Sequence, residues 1–198
     1  MLRAALFFTF LSSAYLIGCA QNIPDKSLQI SEALQAAPEP DRAGAAVYGY
    51  NGKGELVELR PGTNSLICLS DDPARPGFQT VCYHKDLEPF MKRGRELRAE
   101  GKNADEVFAI REEEAKSGKL PMPEHPATLH LLEGGDVHFD PQTGKVEGAN
   151  YRYVVYIPWA TAESTGLPIQ PTVPGGPWIM DPGTHRAHIM ISPPPPKQ

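Results

Sequence analysis

The chain has 198 residues, a net charge of −5, and 21 prolines beside 18 glycines. Its mild acidity argues against a nucleic-acid partner and against adhesion to anionic lipid through the protein surface. The length suits one domain with a proper core, and so much Pro and Gly predicts many irregular connections within it.

The chain begins with a short n-region ending at Arg3 and the apolar run "ALFFTFLSSAYLIG". A stretch this short at the N-terminus reads as an export signal and not as a spanning helix. It closes on Leu16-Ile17-Gly18-Cys19, which resembles the lipobox of bacterial lipoproteins. The resemblance implies cleavage after residue 18 and a diacylglycerol on the Cys19 thiol. Several acyl chains on one residue anchor stably, where a single chain would not. Ala20 and Gln21 follow, with no Asp at the second mature position. In lipoproteins such an Asp resembles an inner-membrane retention signal, so its absence implies the outer membrane, facing the periplasm. The alternative is ordinary cleavage after Ala20 and a secreted protein.

Residues 19–42 are small and polar and read as a lipidated cysteine followed by a flexible tether, with a short helix allowed in "SLQISEALQAA". A single α+β domain is expected over 43–192, and a Pro-rich tail over 193–198. "AAVYGYNGKGELVELR" carries a hairpin signature around Asn51-Gly52-Lys53-Gly54. Cys68 and Cys82 bracket a turn-rich loop, and export to an oxidising compartment pairs them as a disulfide. Leu87, Phe90, Met91 and Leu97 form one helical stripe. "NADEVFAIREEEAKSG" opens with Asn103 and Glu106, a capping-box pattern, and closes at Gly118. The two helices read as a hairpin, its basic residues Lys92, Arg93, Arg95 and Arg98 salt-bridged in solvent to the acidic arm. Strands follow at "TLHLLE", "DVHF", "KVEG", "YRYVVYI" and "RAHIMI". Strands on both sides of a helical pair predict an antiparallel sheet of about five or six strands.

Three stretches invite a chemical reading. Asp136, His138 and Asp140 alternate like the start of a calcium loop, but Pro141 stands where that loop needs Gly. A turn at Asp140–Gly144 is the expectation. Ser164, Asp181 and His185 follow the chain order of a hydrolase triad. However, Pro158 interrupts the strand that should run into the serine. His185 and His188 are a weak metal pair, without HxH or HExxH spacing. Strand alternation instead buries His188 beside Met190 and leaves His185 at the rim near the Trp178 loop, itself read as a plug over the sheet. Nothing in the motifs requires a cofactor.

"LRPGTNSLICLSDDPARPG…VC" and "YVVYIPWATAESTGLP…GGPWIMDPGTHRAHIMI" resemble an uncharacterised group of secreted bacterial proteins with a paired-cysteine loop and a "GT…AHIMI"-like ending. The similarity covers most of 55–192 and implies a shared fold without transferring any site. The combined reading is a lipid-anchored envelope protein acting as a non-enzymatic binding or structural module. Its partner would be an envelope protein or a small-molecule ligand. The alternative is a small metal-dependent or serine-based hydrolase.

Overall fold

A computed structural model of the chain describes residues 23–194. The leader, the lipidation candidate Cys19 and the end of the tail lie outside the described residues.

Helix α1 (Lys26–Ala33) starts at Asp25, whose carboxylate accepts from the Leu28 amide at 3.0 Å. It runs on into 3₁₀ turns at Leu34–Ala36 and Glu39–Gly44. The tether expected here is therefore folded structure. Ala33, Ala36 and Ala37 are buried, and their small side chains let the segment lie close on the sheet. The composition that reads as a linker is the composition close packing needs. Gln29 locks the contact. Its amide nitrogen donates to Pro24 O (2.8 Å) and Tyr50 O (2.9 Å), and its oxygen accepts from the Tyr50 amide at 2.6 Å.

Strands β1 (Ala46–Tyr50) and β2 (Leu56–Arg60) form the expected hairpin. Asn51 Oδ1 organises its turn by accepting from the Lys53 and Glu55 amides, and Gly54 supplies the positive φ of 76°. β3 (Leu66–Leu69) and β4 (Phe78–His84) flank the cysteine loop, and Cys68 stands directly opposite Cys82 in a disulfide. Next come α2 (Glu88–Ala99) and α3 (Ala104–Lys116), the second opened by the capping box of Asn103 and Glu106. β5 (Ala127–Gly134), β6 (Phe139–Asp140), β7 (Lys145–Val146), β8 (Asn150–Tyr156), α4 (Ala162–Thr165), β9 (Trp178–Met180) and β10 (His188–Ile191) complete the chain.

The main sheet has eight strands in the order β2-β1-β3-β4-β5-β8-β10-β9, so five or six was too few. Nor is it wholly antiparallel, because β1 and β3 run parallel. The physical reason is local. β2 returns the chain to the end where β1 began, and the short link Pro61–Ser65 then hops beneath that end to start β3. The stretch 51–65, with β2 inside it, is the long connection that a parallel pair requires. Gly62 makes the hop possible, since a Cβ there would lie 2.5 Å from the Ala46 nitrogen. Arg60 fastens the same corner by donating to the Ala45 and Arg42 carbonyls.

Side chains alternate across the sheet. Phe78 and Cys82 face α1, in a core shared with Val47, Leu66 and Leu132. Tyr83 faces the other way, into a second core with Leu87 and Phe90 of the helical segment and Leu129, Val154, Tyr156 and Met190 of the sheet. The helical hairpin covers this second face. Among the described residues no helix is long and apolar enough to cross a membrane.

Candidate functional site

The residues of the triad reading have separate partners. Ser164 is exposed and caps α4, its hydroxyl accepting from the Thr161 amide at 2.9 Å. Asp181 accepts from Arg186 Nε at 2.7 Å. His185 has Nδ1 3.4 Å from Glu112 Oε2. A triad needs its serine, histidine and acid in one hydrogen-bonded chain, and these three are not so joined. His188 is buried as expected, with Nδ1 donating to the Arg186 carbonyl at 2.7 Å. Among the described residues no cluster of three or more His, Cys, Asp or Glu is placed to hold a metal. Asp140–Gly144 is the expected turn, with Asp140 accepting from the Gln142 amide and the Thr143 hydroxyl.

His185 departs from its expected place at the rim, for it is 0% exposed. Strand pairing starts only at His188. The preceding residues form a tight turn in which the Ala187 amide donates to Thr184 O, so strand alternation does not extend back to residue 185. The imidazole enters an aromatic layer instead. It lies 4.9 Å from the Phe108 ring of α3, 5.8 Å from Phe90 of α2 and 6.4 Å from Trp159. Phe90 continues to Tyr156 at 5.5 Å, and Tyr156 to His188 at 5.1 Å. Guanidiniums sit at the middle of the layer and at one end. Arg111 is 3.8 Å from the Phe90 centroid and Arg186 is 5.1 Å from that of Phe108.

The electrostatics of this layer are lopsided. Burial pushes Arg111 down to about 10, with Arg98 and Arg186 adding to the fall and Tyr156 opposing it. Among the described residues no carboxylate pairs with it. Burial also raises the Tyr156 hydroxyl, which therefore stays a donor at neutral pH. It lowers His188, and it lowers His185, where Arg111 adds to the effect and Glu112 opposes it. Arg111 is only 5% exposed, and among the described residues its one hydrogen bond is from Nη1 to Phe90 O at 3.2 Å. Its Nε and His185 Nε2 are buried without partners. A buried, desolvated charge costs several kcal/mol, against about 2 kcal/mol recovered from a cation–π contact. Phe90 alone does not balance Arg111.

Two residues with side chains hold a left-handed backbone beside this layer, Trp159 at φ 68° and Asp181 at φ 52°. Such conformations cost roughly 1–2 kcal/mol and gather at functional sites. The Trp159 amide donates to Thr184 O and the Gly183 amide to Ala160 O, which pins both loops together. Trp159 is nevertheless 39% exposed, a large apolar side chain held in strain at the surface. Further along the same sheet face, Trp178, Met180 and Met190 floor an open groove of about 500 Å³, walled by Pro171–Gly176 with Arg152 at its side. Trp178 thus belongs to edge strand β9 and lines a groove.

Sequence reading missed Arg111, Arg98, Tyr156 and Trp159. Arg111 had a visible signal, since it falls on the same helical stripe as Val107, where an apolar residue belongs. Arg98 was read among salt-bridged cations. In the structure Arg93 pairs with Glu114 and Arg95 with Glu88, whereas the main charged neighbours of Arg98 are other arginines. No family model, curated protein or solved structure matches this chain.

Proposed function

We propose that the protein is exported, anchored to the outer membrane through lipid on Cys19, and works there as a non-enzymatic binding module. The observation that carries this reading is the disulfide Cys68–Cys82, set between two central strands of the sheet. A staple in that position is stable in an oxidising compartment, and the leader with its lipobox-like LIGC supplies the address. Two features support a binding role on the helix-covered face and its rim. One is the open groove floored by Trp178, Met180 and Met190. The other is the strained, exposed Trp159 beside the arginine-rich layer.

Detergent phase partitioning of the wild type and of Cys19→Ser tests the anchor. Wild-type protein should enter the detergent phase, and the variant should leave it or remain unprocessed. Wild-type protein found in the aqueous phase with Gln21 as its first residue would overturn the reading. For the binding role, Trp178→Phe should abolish ligand-dependent tryptophan quenching in a metabolite screen, while Trp159→Phe leaves a response from the groove. Quenching that is the same in both variants would remove the groove from the proposal.

A further inference from the structure

Arg111 and Arg98 crowd the same place on the helical hairpin. A Cβ on residue 94 would lie 2.9 Å from Arg111 Nη1 and 3.5 Å from Arg98 Nη1. Gly94 sits in the middle of α2, where glycine weakens a helix, and its missing side chain leaves room for the two guanidiniums. Arg98 is exposed, Arg111 lies buried behind it, and Arg186 approaches from the turn before β10. Arg186 has Asp181 as its counter-ion. Among the described residues Arg111 forms no ion pair and its Nε donates to nothing, while Arg98 and Arg186 act on it as like charges.

We propose that Arg98 and Arg111 form a receptor for one oxyanion, the phosphate or carboxylate group of a small ligand. The chemistry fits at each point. Guanidiniums present planar forks that match both kinds of oxyanion, with one partner exposed to admit the ligand and the other buried to hold it. Asp181 already neutralises Arg186, which leaves net positive charge at the Arg98–Arg111 pair. The inference concerns the folded domain alone and stands whether or not Cys19 is lipidated.

The test uses the full chain, purified in detergent and freed of phosphate. Inorganic phosphate, acetate and chloride are titrated at matched ionic strength, with thermal unfolding and calorimetry as readouts. We expect a saturable rise in melting temperature with phosphate or acetate and none with chloride. The anion that saturates identifies the group as phosphate or carboxylate. Arg98→Ala, at an exposed position, should weaken that binding about tenfold or more, and Arg98→Lys by less. Arg111→Met should abolish saturation and also raise the melting temperature in anion-free buffer, because an uncompensated buried charge is gone. Identical responses to all three salts in the wild type would mean that salt merely screens like charges, and would overturn the proposal. Saturable binding unchanged in Arg98→Ala would overturn the placement, even if Arg111→Met failed to fold.

Discussion

Glu32 lies on the inner side of α1, 6% exposed, with Oε1 accepting from the Asp71 amide at 3.2 Å. Burial pushes its carboxyl up to about 7, with Asp71 adding slightly and the amide opposing. Its ordinary value is 4.5. The folded form therefore holds the proton more tightly than the unfolded chain. Whatever stability this lends is complete below pH 4.5 and is lost as the pH rises through 7. A difference of that size corresponds to about 3 kcal/mol between acid and mildly alkaline conditions. Glu32→Gln keeps an acceptor oxygen for Asp71 and removes the charge. Any cost of placing the new amide is independent of pH and cancels between two conditions. Urea unfolding of both proteins at pH 4.5 and pH 8 should show the variant gaining about 3 kcal/mol more at pH 8 than at pH 4.5. Equal differences at the two pH values would mean that Glu32 is solvated and that α1 does not pack as described.

Gln29→Ala leaves the Tyr50 amide and carbonyl without their partner, so a loss of about 2–4 kcal/mol is expected in the same urea assay, and an unchanged midpoint would refute the clamp. His185→Ala empties a fully buried position between Phe90, Phe108 and Trp159 and should cost about 2–4 kcal/mol; a change of a few tenths would return the residue to the rim. His185 and His188 are both held below the ordinary histidine value of 6.5, so their contribution is complete above 6.5 and is lost as the pH falls below it. Replacing both with apolar residues should flatten that acid limb, and a limb of undiminished slope would place its origin elsewhere. Cys68→Ala with Cys82→Ala opens a loop with a sequence separation of 14 and should cost about 3 kcal/mol; no loss on reduction of the native protein would count against the staple.

The helical hairpin was legible because its signals are local. The Phe90–Leu97 stripe and the Asn103–Glu106 capping box each lie within one helix, and both helices form where these patterns place them. The turn at Asp140–Gly144 was legible for the same reason. β3 and β4 were hidden by their loop. The turn residues of "DDPARPG" dominate the local pattern and the runs on either side are short, although Leu66 and Cys68, like Thr80 and Cys82, alternate as strand residues should. Long-range facts were not legible at all. The parallel β1–β3 pair depends on how closely Gly62 approaches Ala46, and Gln29 reads as a polar linker residue until Tyr50 is seen against it. His185 failed through a register assumption, because strand alternation was extended back across a turn.

The folding of α1 onto the sheet changes what anchoring through Cys19 would do. A tether reaching residue 42 would let the domain wander far from the bilayer. With α1 beginning at Lys26, only Ala20–Asp25 would remain as leash, a reach of about 20 Å when fully extended. On the proposed anchoring, the start of α1 is therefore the membrane-proximal corner. Gln29 fixes that corner against Tyr50 of β1, near one edge of the sheet. Tyr156, His188 and the groove over Met190 and Trp178 belong to β8, β10 and β9, at the other edge. At the usual strand spacing, β1 and β10 are separated by roughly 25 Å across the sheet. The α1 segment also occupies the opposite face from the helical hairpin. On the proposed anchoring, the aromatic and arginine-rich end of the domain belongs to the sheet edge away from the leash.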